Sequence, residues 1–167
     1  YRKRLKGYAS IGYKTIIKGS STLFDNANDI EFSIKEGQIF NGKTYFRPYK
    51  ADLRTAKYSI VLSSPKLYNI ERNSLTEYLM DLSNQGIEVL ILTQTVNEQT
   101  EHLQRKGLSV KIIPTLSLCT TIIDKTIVWY GAINVLGYTS EEDNVIKVTD
   151  NNLANELTNT LLSINSA

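Results

Sequence analysis

The sequence predicts an α/β layered fold with a mixed β-sheet, on two observations. Short apolar runs alternate with segments whose apolar residues recur at helical spacing, and two of those runs flank Asp124-Lys125 as a tight hairpin. Strands alternating with helices build a layered parallel sheet, and a hairpin adds an antiparallel pair to it.

Residues 1–22 are basic and rich in glycine and serine, and read as a linker of limited structure. Asp29-Ile-Glu-Phe-Ser-Ile-Lys35 alternates apolar and polar residues, the period of a half-buried strand. Asn41-Gly42 marks a turn, and a helix is expected over 47–57 with Pro48 in its first turn, where a missing N–H costs little. Ser59-Ile-Val-Leu-Ser63 is a short apolar run suited to a strand buried on both faces.

Residues 71–84 place Leu75, Tyr78, Leu79 and Leu82 on one helical face, and Gly86 stops that helix. Ile87–Thr93 is a second buried strand. Asn97–Lys106 reads as a helix stopped by Gly107, and Leu108–Ile113 as a third strand. Leu118–Ile123 and Thr126–Tyr130 form the hairpin, and Val145–Val148 is one more short strand. Asp150 or Asn151 then caps a closing helix that runs to about Leu162.

Composition narrows the classes. The 167 residues are 41% hydrophobic and 22% charged, ordinary for one globular domain with an appended segment. We divide the chain into a basic linker or arm over 1–30 and a domain over 31–167. No apolar run reaches the length of a membrane span, and no signal-peptide pattern opens the chain. A lone cysteine, Cys119, excludes an internal disulfide, and a lone histidine, His102, leaves too few soft ligands for zinc; neither metal nor cofactor is expected. A cytoplasmic (intracellular) location follows as the default. The chain begins at Tyr1 and its only methionine is Met80, so a covalent continuation into a longer polypeptide is expected.

Charge is unevenly spread. Arg2, Lys3, Arg4, Lys6, Lys14 and Lys18 give residues 1–18 a charge of +6 without an acid, so a total of +2 leaves −4 for the rest. Such an arm suits nucleic-acid phosphates or serves as a solvated linker. Arg47, Lys50, Arg54 and Lys57 recur as a basic stripe along the helix expected over 47–57. It either tracks a nucleic-acid backbone or is a solvated face. Trp129 is expected in the core, His102 on a helix surface, and Glu141-Glu-Asp143 in an ordinary acidic loop.

The most informative stretch is Ser117-Leu-Cys119-Thr-Thr-Ile-Ile-Asp124-Lys-Thr-Ile-Val-Trp-Tyr-Gly131-Ala-Ile-Asn134. Together with Asp52–Pro65 and Gly86–Thr93 it resembles the phospholipase D superfamily. The equivalent stretch there is His-x-Lys, four residues, Asp, then a hairpin into Gly-Ser/Gly-x-Asn. The resemblance covers roughly residues 40–162 and implies a phospholipase D-like α/β/α sandwich. In such domains the histidine attacks phosphorus, the lysine neutralises the phosphate oxygens, and the asparagine adds a hydrogen bond. Members with one motif per chain pair as homodimers, and such domains are often fused to the C-terminus of helicases or occur in DNA-processing proteins.

Aligned on Asp124, the histidine place holds Ser117 and the lysine place Cys119, with Ala132 after Gly131. A serine without a base is a poor nucleophile, and a thiol carries no positive charge. The resemblance therefore implies a vestigial site (Ser117, Cys119, Asp124, Asn134) on a degenerate domain of a larger helicase- or nuclease-related protein. Such a domain would bind DNA or another nucleic acid, form homodimers, or both. Two alternatives are a protein-protein module without DNA binding and a cryptic enzyme using Ser117, Cys119 or a nucleotide site.

The nucleotide site would be Gly37-Gln-Ile-Phe-Asn-Gly42-Lys43-Thr44, which fits the P-loop expression. A P-loop needs a helix starting at Gly42-Lys43, and Pro48 would then remove a bond in its second turn at a cost of about 3 kcal/mol. An Asn-Gly turn before a later helix is the simpler account.

Overall fold

Seven strands form one mixed sheet in the computed structural model, which describes residues 37–164. In chain order the elements are β1 (Gln38–Asn41), α1 (Phe46–Arg54), β2 (Ser59–Ser63), a 3-10 turn (Ile70–Arg72), α2 (Ser74–Asn84), β3 (Glu88–Thr93), α3 (Glu98–Arg105), β4 (Ser109–Ile112), β5 (Cys119–Ile123), β6 (Ile127–Gly131), β7 (Asn144–Thr149) and α4 (Asn151–Ser163). The strand order is β1-β7-β6-β5-β2-β3-β4. β2, β3 and β4 run parallel and every other neighbouring pair is antiparallel.

Alternation along the strands sends side chains to two cores. On one face Ile60, Leu62, Val89, Ile91 and Trp129 pack with Tyr49 and Leu53 of α1, Leu75 and Leu79 of α2 and Leu103 of α3. On the other, Leu92, Ile122 and Val128 pack with Ala154 and Leu161 of α4. The sheet is thus the middle layer of an α/β/α sandwich, as expected.

Local chemistry explains the boundaries. Asn97 Oδ1 accepts from the N–H groups of Gln99 and Thr100, and Thr100 Oγ1 accepts in return from the Asn97 N–H, a reciprocal cap for α3. Asp150 Oδ1 caps α4 through the N–H groups of Asn152 and Leu153. Gly86 and Gly107 follow α2 and α3 with φ of +94° and +86°, where a side chain would be strained.

Three elements differ from expectation. The helix expected from residue 71 starts at Ser74, because Asn73 Oδ1 caps the Leu75 N–H and Ile70–Arg72 form a 3-10 turn ahead of it. The helix expected over 47–57 ends at Arg54, where the Thr55 hydroxyl and N–H both turn back to the Asp52 carbonyl. Strand β1 was not anticipated; it has four residues, and its pairing with β7 (Ile39 opposite Ile146, Phe40 opposite Val145) comes from over 100 residues downstream. The strand expected over 29–35 and the arm over 1–30 lie outside the described residues.

β1 also disposes of the P-loop. Residues 38–41 are extended, and Asn41 Oδ1 accepts from the N–H groups of Lys43 and Thr44, so the backbone donors needed for phosphate are already used. Lys43 Nζ pairs with Glu141 Oε2 at 3.1 Å, and α1 begins only at Phe46.

Candidate functional site at the head of strand β5

The ends of β2 and β6 and the starts of β5 and β7 meet at one edge of the sheet. Register fixes this: Ser63 lies beside Thr120, Cys119 opposite Gly131, and Gly131 opposite Val145. The approach is close at Gly131, where a Cβ would stand 2.5 Å from the Asn144 carbonyl oxygen, so only glycine fits.

Cys119 opens β5 and borders the same crevice as Tyr45, Tyr49 and Trp129. Together with Ser63, Ile133 and Val135 these residues line a crevice of about 10 Å³, room for one water and no more. Burial pushes the Cys119 thiol up from its ordinary range, and the nearby Asp143 carboxylate pushes it the same way. The position therefore holds a neutral group facing a negative one, the opposite of what a phosphate requires. Ser117 is exposed in the segment before β5.

Asn134 follows β6 at the same edge, but its amide is engaged. Its Oδ1 accepts from the hydroxyl of fully buried Ser64, and its Nδ2 donates to the Lys66 carbonyl at 2.8 Å. Gly137 closes over it, since a Cβ there would overlap the Asn134 amide and the Lys66 carbonyl. Ser63 completes the net: its hydroxyl donates to the Leu118 carbonyl at 2.7 Å and accepts from the Thr120 N–H at 3.1 Å.

Asp124 is not part of this constellation. It sits in the hairpin turn at the other end of β5, roughly 16 Å away at the usual rise per residue. Asp124 and Lys125 both take φ of +52°, and the Thr126 N–H donates to the Ile123 carbonyl at 3.0 Å. The carboxylate accepts from the N–H groups of Lys57 (2.9 Å), Tyr58 (2.8 Å) and Ser59 (3.0 Å), fixing the entry of β2. Of the four residues expected to form one vestigial site, Asp124 stands apart at the far end of β5 and Ser117 lies in the segment before it. The structure brings Cys119 and Asn134 to one edge and puts Asp124 to backbone work.

Of the expected basic stripe, Arg47, Lys50 and Arg54 lie on α1. Arg47 and Arg54 are exposed on α1 and Lys50 is partly covered, its Nζ lying 5.1 Å from the Tyr78 ring centroid. Lys57 lies beyond the end of the helix and does not continue the row. Arg2, Lys3, Arg4 and Lys6 fall outside the described residues. Trp129 is 1% exposed in the core, and His102 lies in α3 with Nδ1 3.6 Å from Glu71 Oε1, an ion pair only when protonated. Among the described residues no three His, Cys, Asp or Glu side chains gather as a metal would need. No described helix is long and apolar enough to cross a membrane.

Sequence reasoning missed Ser63, Ser64 and Asp143. The serines sat in plain view at the end of the second strand, but an apolar run gives no hint that its last hydroxyls tie down a loop 70 residues away. Asp143 belongs to a stretch that reads as an ordinary acidic loop, and the β5–β6 and β6–β7 registers bring that loop to the end of the sheet where β5 begins.

With the geometry in hand, solved structures supply the comparison. The chain is similar to Nuc, a phospholipase D family member from Salmonella typhimurium, with a TM-score of 0.64 at 14% identity over 77% of this chain and 93% of that one. The fold is phospholipase D-like. NucT from Helicobacter pylori matches with a TM-score of 0.57 at 14% identity, over 77% of this chain and 94% of that one. TrmBL2, an archaeal chromatin protein whose structure shows a novel mode of DNA binding, matches over 96% of this chain and 59% of its own, with a TM-score of 0.57 at 12% identity. No family model matches the chain, and no curated protein matches it in sequence. At such identities the likeness is one of fold.

Proposed function

We propose that this phospholipase D-like chain is a catalytically silent, nucleic-acid-binding part of a larger DNA-processing protein. The observation that carries the first half is the state of the β5 edge. The lysine place holds a neutral thiol beside Asp143, the crevice admits one water, and the asparagine amide is spent on Ser64 and Lys66. Phosphoryl chemistry of the family kind needs a nucleophile and a cation at one phosphate, and this edge offers neither. Losing one charge-stabilising group alone costs about 3 kcal/mol of transition-state stabilisation.

The binding half rests on exposed cations at Arg47 and Arg54, on the basic arm with Arg2, Lys3, Arg4 and Lys6, and on the likeness in fold to the DNA-binding chromatin protein. The homodimer implied by the sequence resemblance belongs to the same proposal, and light scattering reads it directly. The test of binding is a salt titration with a fluorescent oligonucleotide. Contact with phosphates predicts that log affinity falls linearly with log salt. Absence of binding at low salt would remove this half and favour a protein-protein role.

A further inference from the structure

A second concavity lies along the loop after β2, apart from the crevice at Cys119. The loop after β2 and the first turn of α3 border a wide, open depression of about 400 Å³ lined by Leu67, Tyr68, Asn69, Arg72 and Gln99. That volume lies within the range of small-ligand sites, whereas the crevice at Cys119, about 10 Å³, is far below it.

Each wall has a defined chemical character. Tyr68 is 62% exposed, so its aromatic side chain is accessible to a ligand. Arg72 is exposed and has no acidic partner among the described residues. Its neighbour Glu71 lies instead 3.6 Å from His102. Gln99 Oε1 is held by the Ile70 N–H at 2.8 Å, which fixes the amide and leaves its Nε2 to donate. Asn69 is held at φ of +52°, and its side chain makes no cap to the 3-10 turn that follows. The loop is anchored from below, because the Tyr68 N–H donates to the Leu136 carbonyl at 3.0 Å and Asn134 holds Lys66.

We propose that this depression binds one unstacked nucleotide of a single-stranded nucleic acid. The base would stack on Tyr68, the Asn69 and Gln99 amides would meet its polar edge, and Arg72 would meet the phosphate. An aromatic face, two amides and one guanidinium match a nucleotide's π-face, base edge and anion in turn. A paired duplex keeps its bases stacked inside and presents no π-face to Tyr68, which is why the single strand is chosen as occupant. The inference rests on the nucleic-acid reading above and deepens it.

Fluorescence anisotropy with a labelled oligothymidylate, the same length of duplex, and thymidine monophosphate as competitor tests it. The single strand should bind more tightly than the duplex. Tyr68→Ala should weaken it roughly 5- to 150-fold, the range that base–aromatic stacking supplies, while Tyr68→Phe retains most of the affinity. Arg72→Ala should weaken binding and flatten the salt slope by about 0.7, the share of one single-strand phosphate. Preserved affinity in Tyr68→Ala and Arg72→Ala, with loss in Arg47→Ala/Arg54→Ala, would overturn the depression as the site and leave the nucleic-acid reading standing. Binding of the monophosphate without the strand would overturn the choice of occupant. No binding of any nucleic acid by the unaltered chain at low salt would overturn both. Tyr68 and Arg72 are exposed, so an unchanged thermal melt separates these effects from misfolding.

Discussion

The indole Nε1 of Trp129 donates a 2.9 Å hydrogen bond to Oδ2 of Asp52, joining the middle of β6 to the buried side of α1. The same carboxylate receives Lys147 Nζ from β7 at 2.8–2.9 Å, so one acid satisfies an indole and an ammonium at once. Asp52→Ala would leave both donors without a partner. We expect it to cost about 3 kcal/mol, with Asp52→Asn costing less because its amide oxygen can still accept from Trp129. Urea denaturation at unchanged m-value measures this, and a loss under about 1 kcal/mol would show the network to be incidental.

Asp124 is expected to be a residue of stability only. Its carboxylate takes three backbone N–H groups at the start of β2, and its removal deprives the part-buried Ser59 N–H of its partner and frees the entry of the strand. Asp124→Ala should lower stability by about 2–3 kcal/mol and leave oligonucleotide affinity unchanged at temperatures where the protein is folded. An affinity loss without a stability loss would return Asp124 to the functional site.

Gly137→Ala probes the closure over Asn134. The added methyl meets the Asn134 amide and the Lys66 carbonyl, and the second of these is backbone that cannot swing away. A destabilisation of about 2 kcal/mol is expected, with amide chemical-shift changes confined to residues 64–68 and 132–138. Shifts spread over the whole sheet would mean that the two loops are not a local unit.

Alkaline pH gives a signed test of the core beneath the crevice. Burial raises the Tyr49 phenol above its ordinary value of 10, outweighing the hydrogen bond with Thr121 that pulls it down. Below pH 10 the phenol is protonated in both states and takes no part in pH dependence. Above it the unfolded chain releases this proton and the folded chain keeps it, so stability falls by up to about 1.4 kcal/mol per pH unit from this group. Tyr49→Phe should have a shallower alkaline limb than the unaltered protein, read from urea midpoints between about pH 9.5 and 11.5. Equal slopes would place Tyr49 in contact with solvent.

Much of the architecture was legible because it is local. Ser59–Ser63 and Glu88–Thr93 are apolar runs that can only be central strands, and Asn97, Asp150, Gly86 and Gly107 punctuate the helices by their own chemistry. What was not legible depends on distant pairing. β1 is a strand because β7 lies beside it, and Ile39-Phe40 alone is too short to announce one. The same limit applied to the site. Spacing along the sequence could not show that Asp124 and Cys119 end up at opposite ends of β5. Nor could it show that the Asn134 amide is spent on Ser64, whose hydroxyl is brought to it only by the antiparallel pairing of β2 with β5.

The proposal that this phospholipase D-like chain holds nucleic acid without cutting it is open to direct test. The most direct test incubates the protein in excess over end-labelled single-stranded DNA, with and without divalent cation, and follows strand length and retained binding together. A salt-sensitive complex whose DNA stays full length is expected. Cleavage that disappears in Ser117→Ala or Cys119→Ala would contradict it.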